Sequence, residues 1–196
     1  MHINWKQREL QLKIVYYGPA LSGKTTNLEQ IYAKVDADHR SELVSLKTHE
    51  DRTLYFDYLQ LELGKIGNLT PKILLYTVPG QVYYEATRKL VLRGADGVVF
   101  VADSQPDRIN ANRESWENMH THLSSFETPM TWIPIVVQVN KQDLPDALSE
   151  SVIRATLHIH NLPIYPAVAL QGDGVFETLK AITRNVVTRV QRVMTR

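Results

Sequence analysis

The chain predicts an α/β fold, a mostly parallel central sheet with helices on both faces. Three observations predict it. Short apolar runs alternate with stretches of helical periodicity along all 196 residues. Several of these runs, such as Gly97-Val98-Val99-Phe100-Val101-Ala102, are apolar throughout, as strands covered on both faces are. A glycine-rich turn, Gly18-Pro19-Ala20-Leu21-Ser22-Gly23-Lys24-Thr25, falls between the first strand and the first helix. In sheets of this kind ligands collect beyond the carboxyl ends of the strands, where this turn sits.

The elements follow in order. Residues 12–17, rich in β-branched and aromatic side chains, read as a strand. Leu28, Ile31 and Tyr32 fall at i, i+3 and i+4, so 24–35 reads as a helix. Strands are expected near 54–63 and 72–78, a helix near 83–93, a strand at 98–103 and a helix at 109–126 with Trp116 and Met119 in the core. A strand at 133–140, a short helix near 149–157, a strand at 162–168 and a helix at 175–193 complete the chain. One domain over 1–196 is expected, with no internal repeat or domain-sized linker.

Two stretches read irregularly. Residues 36–53 are polar with little period, a loop long enough to be functional or disordered. In the strand near 54–63, Leu54, Phe56 and Tyr58 share one face, whereas Leu59, Leu61 and Leu63 take the other. Either both faces are buried at its start, the favoured reading, or the strand changes register between two states.

Composition narrows the function. The 22 basic and 21 acidic side chains nearly cancel, so nothing draws the chain to nucleic acid as a main partner. Without cysteine, disulfides, thiolate metal sites, palmitoylation and prenylation are excluded. His2 at the second position argues against myristoylation, and the opening residues lack the apolar core of a signal peptide. A cytoplasmic protein is expected. His158 and His160 alternate across the chain, and His120 and His122 stand at i and i+2, so neither pair faces a common metal. In the last helix Lys180, Arg184, Arg189, Arg192 and Arg196 surround Phe176, Leu179, Ile182, Val186, Val190 and Val193, an apolar packing face with a solvated basic one.

The chemistry centres on the glycine-rich turn, which fits G-x-x-x-x-G-K-[ST] with a strand before it and a helix after. Gly18 and Gly23 let the backbone bend, so that N–H groups from Gly18 through Ala20, Leu21 and Ser22 to Thr26 cradle phosphate at a helix start. Lys24 reaches the β- and γ-phosphates and the Thr25 hydroxyl ligates Mg²⁺. Beyond the strand at 72–78 comes Pro79-Gly80-Gln81, where the Gly80 N–H can meet a γ-phosphate and Gln81 can orient a water. Asn140-Lys141-Gln142-Asp143 leaves an apolar strand. The Asp143 carboxylate suits the N1–H and exocyclic amine of guanine and is repelled by adenine N1. Asn140 can tie this loop to the phosphate loop, the Lys141 stem can cover the base, and the backbone at Val168 and Ala169 can meet the guanine O6. The site reads as one for GTP or GDP.

The series GPALSGKTT, EDRTL, TVPGQ and NKQD resembles the Ras-like small GTPases with their P-loop NTPase G domain, most closely the bacterial MglA group. The likeness runs from Lys13 to the last helix. It implies a first switch at about 36–54 and a second at about 77–93. It also implies that Thr53 joins Thr25 on Mg²⁺, that Arg52 is an arginine finger supplied in cis, and that Gln81 positions the attacking water. A roadblock/LC7-fold activator (MglB-like) and control of cell polarity or motility are the partner and process it implies.

Two departures stand out. Most Ras-like proteins have Asp at the position of Thr77, and the MglA group shares the difference; Asp57 on the neighbouring strand is the candidate substitute. Ala20 stands where the family usually has glycine, which predicts slow hydrolysis. Gln60, where the group often has proline, is a minor difference. Two alternatives stay open: a GTP-dependent binding module that hardly hydrolyses, and a P-loop phosphotransferase.

Overall fold

The structure, a computed structural model, describes residues 1–46, 56–65, 68–126 and 133–194. Its eight-stranded sheet has the order β3-β4-β5-β2-β6-β7-β8, with β1 paired to β2 off this path. The strands are β1 (His2–Asn4), β2 (Glu9–Tyr17), β3 (Val44–Leu46), β4 (Phe56–Glu62), β5 (Thr70–Thr77), β6 (Gly97–Asp103), β7 (Ile135–Asn140) and β8 (Ile164–Pro166). The helices are α1 (Lys24–Lys34), α2 (Glu85–Leu92), α3 (Ile109–Ser124), α4 (Glu150–Thr156) and α5 (Val175–Met194). The five strands β5, β2, β6, β7 and β8 pair in parallel, while β4 and β3 add antiparallel at one edge.

The wholly apolar runs behave as their composition requires. Every residue of β6 and β7 is buried, because helices cover both faces. One core lies under α1 and α5, with Leu12, Ile14, Leu28, Ile31, Ile182 and Val186. The other lies under α2, α3 and α4, with Val15, Tyr17, Phe100, Trp116, Met119 and Ile153. Trp116 and Met119 therefore pack as expected, whereas Val193, read as part of the apolar face of α5, is exposed.

Three differences from the sequence expectation concern short or edge elements. β1 and β3 are each three residues long and have no readable period; their pairing partners β2 and β4 define them. β8 ends at Pro166, which has no N–H to extend the ladder, and Val168 instead bridges to Asp173. Within β4 the alternation is unbroken: Asp57, Leu59 and Leu61 are buried, and Phe56, Tyr58 and Gln60 take the other face. Its pairing to β5 runs without a bulge from Tyr58↔Tyr76 to Glu62↔Lys72. The phase break arises because Phe56 and Tyr58 half-bury themselves against Tyr76, with ring centroids 5.7 and 5.0 Å away.

The core contains one discordant group. Tyr16 is fully buried and its hydroxyl has no hydrogen-bond partner among the described residues. Burial pushes its ionisation well above the ordinary range, and leaving a hydroxyl unpaired costs about 1–3 kcal/mol. Tyr16→Phe is therefore expected to raise unfolding stability by about 1 kcal/mol. The check is a higher urea midpoint at unchanged slope; a lower midpoint would show that the hydroxyl is satisfied in solution.

Candidate functional site

The phosphate loop is built where β2 meets α1. Gly18 (φ 146°) passes so close to β6 that a Cβ there would lie 2.3 Å from the Val101 carbonyl oxygen. Gly23 (φ 98°) meets Asn140, whose Nδ2 would be 2.2 Å from an added Cβ. Leu21 also adopts a left-handed conformation (φ 63°) and leaves 84% of its surface exposed. For a residue with a Cβ this conformation costs roughly 1–2 kcal/mol, a strain typical of ligand-binding turns. Lys24 folds over the loop, its Nζ donating to the Gly18 and Pro19 carbonyls at 3.0 and 2.6 Å. Burial pulls its pKa down to about 7; the nearby Arg88 charge lowers it too and Asp57 opposes both.

Asp57 forms the junction between the phosphate loop and the sheet edge. Its Oδ2 accepts from the Thr25 hydroxyl at 2.6 Å and from the Thr77 hydroxyl at 2.8 Å. Its Oδ1 accepts from Ser45 of β3 at 2.7 Å, and its own N–H donates to Thr77 Oγ1 at 2.8 Å. The position beside Thr77 thus has a carboxylate after all, delivered from β4. Among the described residues no cluster of three His, Cys, Asp or Glu could hold a metal by itself. The hard oxygen donors Thr25 and Asp57 fit Mg²⁺, which keeps waters and substrate phosphates as its remaining ligands. Arg52 and Thr53, expected as arginine finger and second Mg²⁺ hydroxyl, lie outside the described residues.

The base-side loops are tied to the same turn. Asn140 donates from Nδ2 to the Ser22 carbonyl and accepts the Ala169 N–H on Oδ1, both at 2.8 Å. Asn140 thus joins the phosphate loop to the loop after β8. Lys141 adopts φ 68°, and its Nζ bonds Asp103 at 2.6 Å and Gln105 at 2.8 Å. Asp143 is exposed. The backbone of Val168 is held by Asp173.

On the other side, the segment after β5 lies directly on the loop. A Cβ on Gly80 would come within 2.3 Å of the Ala20 N and Cα. Ala20, Lys24, Thr25, Thr26, Asp57, Thr77, Gly80 and Gln81 line a cleft of about 660 Å³. Arg108, just before α3, donates to the Ala20 carbonyl at 2.8 Å and stands 3.8 Å from Asp103. Sequence reasoning missed Ser45, Arg88, Asp103 and Arg108, since a lone polar residue outside a motif does not show what it faces. His120 packs on the Trp116 ring, and His122 lies between Tyr17 and Glu85, away from the cleft.

A glycine-rich phosphate loop between β2 and α1, a buried lysine and a carboxylate-bearing base loop define a P-loop nucleotide-binding protein of the G-domain type. The family model of the ADP-ribosylation factor family matches residues 2–186. The mutual gliding-motility protein MglA of Myxococcus xanthus (strain DK1622) is 52% identical over 190 residues, covering 97% of this chain and 97% of that protein. The ADP-ribosylation factor-like protein 6 of Caenorhabditis elegans is 26% identical over 187 residues, covering 89% and 86%. The chain belongs to the ADP-ribosylation factor family, as an MglA-like small GTPase that binds guanine nucleotide.

Two expectations follow from this geometry. Free Lys24 is largely uncharged at pH 8, and polyphosphate beside it restores its charge. GDP binding should then take up a proton, approaching about one near pH 8 and falling away below pH 7. Titration calorimetry in buffers of different ionisation enthalpy reads it; an uptake unchanged in Lys24→Arg would assign the proton elsewhere. Asp57→Ala should weaken Mg²⁺ in the nucleotide complex by about tenfold or more, the scale of losing a group that orients a metal's ligands. Equal Mg²⁺ titrations of GTP cleavage in both proteins would remove Asp57 from the metal site.

Proposed function

We propose that this chain is a GTP-hydrolysing switch, one G domain over residues 1–196, acting in the cytoplasm to control polarity or motility through a roadblock/LC7-type activator. The observation that carries the reading is the contact of Gly80 with Ala20, which sets Gln81 on the rim of the cleft holding Lys24 and Thr25. Among the described residues no helix is long and apolar enough to cross a membrane, which fits the proposed location. The 52% identity to a gliding-motility protein supports the process; the activator is carried over from the resemblance.

In this reading the loop N–H groups from Gly18 to Thr26 hold the phosphates, and Lys24 leaves its two carbonyls to meet the β- and γ-oxygens. Thr25 and Thr53 hold Mg²⁺, with Asp57 beside them. The ion supplies charge neutralisation between the phosphates when bound. Gln81 orients the water for in-line attack on the γ-phosphorus, Gly80 N–H meets the γ-phosphate, and Arg52 neutralises charge developing toward the leaving oxygen. Asp143 reads guanine, Lys141 covers it, and the backbone at Val168 and Ala169 meets its O6. Ala20, whose backbone lies against Gly80, carries a methyl where the family usually has glycine, and in this reading that methyl slows the step. The register change of β4 between nucleotide states belongs to this switch reading; identical β4–β5 pairing in GDP and GTP structures would dismiss it.

Single-turnover GTP cleavage tests the whole. Arg52→Ala should slow it by roughly a thousandfold or more with GDP affinity nearly unchanged, the usual worth of an arginine finger. Ala20→Gly should speed it. A wild type that binds GTP but never cleaves it, with or without a roadblock partner, would make the chain a GTP-dependent binding module.

A further inference from the structure

The second-switch helix carries a cation that the reaction scheme does not use. Arg88 of α2 is only 7% exposed, and no carboxylate stands within salt-bridge distance of it among the described residues. Its side-chain bonds go instead to neutral oxygens. Nη1 donates to the main-chain carbonyl of Gln81, and Nε donates to Asn118 Oδ1 of α3 at 3.0 Å. Asn118 Oδ1 also accepts the Tyr17 hydroxyl at 2.5 Å, and Tyr17 ends β2 immediately before Gly18. The Gln81 carbonyl additionally accepts the Tyr84 N–H at 3.2 Å, closing the turn into α2.

A buried guanidinium without a carboxylate is expensive, and only its hydrogen bonds and a nearby anion offset the lost hydration. Here the hydrogen bonds to the Gln81 carbonyl and Asn118 supply that compensation. The bonds themselves are directional: one end of the planar fork takes the Gln81 main chain, the other takes α3. The turn at Gln81–Tyr84 closes without Arg88, and Gly80 rests on Ala20; Arg88 adds the tie from the Gln81 carbonyl to α3.

We propose that Arg88 is a positioning residue for GTP cleavage, clamping the Gln81 main chain to Asn118 of α3 so that the Gln81 side chain is held at the attacking water. The inference rests on the reading of Gln81 as the water-orienting residue. It goes beyond that reading by naming what keeps Gln81 in place. A displacement of about 1 Å at a reacting group can cost about a hundredfold in rate, so a clamp acting through a carbonyl is enough to matter.

The test is single-turnover GTP cleavage in the full chain, with GDP dissociation and thermal midpoint measured in parallel. Arg88→Met and Asn118→Leu should each slow cleavage about ten- to a hundredfold, with GDP affinity nearly unchanged. Asn118→Asp should recover most of the rate, since a carboxylate still accepts from Arg88 Nε. The double variant Arg88→Met/Gln81→Ala should be no slower than Gln81→Ala alone, because the arginine acts only through the glutamine. A folded Arg88→Met at the wild-type rate would overturn the clamp, as would a double variant slowed by both factors multiplied. Should Arg88→Met fail to fold, Asn118→Leu and Asn118→Asp decide in the same way. A Gln81→Ala protein cleaving at the wild-type rate would overturn the underlying reading of Gln81 and the clamp with it, an outcome distinct from failure of the clamp alone.

Discussion

The carboxylate of Asp57 is the constraint on which the nucleotide end of this molecule depends. It accepts three side-chain hydroxyls, from Thr25 on α1, Thr77 on β5 and Ser45 on β3. Hydrogen bonds to a charged acceptor are roughly twice as strong as neutral ones, so one nearly buried group fixes the sheet edge against the helix that follows the phosphate loop. The arrangement explains why Thr77 can occupy a position where most Ras-like chains carry Asp. The antiparallel pairing of β4 with β5 brings the two positions together, and the charge has moved across one strand. Because the group lies on β4, between β3 and β5, any sliding of β4 along β5 would withdraw it from Thr25.

A second theme is cations waiting for an anion. Lys24 occupies itself with loop carbonyls and Arg88 with a carbonyl and an amide. In each the cationic group is held out of water by neutral oxygens, with no salt bridge among the described residues. Lys141 differs, for Asp103 already neutralises it, which suits a residue proposed to cover an uncharged base.

Most of this was legible in the chain, for reasons that differ by residue. Gly18 and Gly23 occupy backbone conformations that other residues adopt only under strain, so the phosphate loop writes itself into residue type. Long apolar strands such as β6 and β7 have a composition that helices on both faces demand. β1 and β3 were not legible, because three residues hold no period and their existence depends on the partner strand. Arg88 and Arg108 were not legible either. On an amphipathic helix or in a turn, an arginine reads as solvated surface, and only the packing of α2 and the phosphate loop against α3 shows otherwise.

That packing gives α3 contacts to both walls of the cleft that no motif of its own announces. Arg108 at its entry holds the Ala20 carbonyl, on the phosphate-loop wall of the cleft. Asn118, ten residues further on, holds Arg88 and through it the Gln81 carbonyl, on the switch wall. Both walls are therefore referenced to one rigid helix of 16 residues. The Gln81 main chain cannot move away from Ala20 without either breaking the Arg88 bonds or carrying Asn118 with it. Since Asn118 also binds Tyr17 on the central strand, the second course would disturb the sheet core. In the proposed clamp, the two Arg88 bonds are therefore the contacts that movement of α2 away from Ala20 would have to break, each charge-assisted on the donor side.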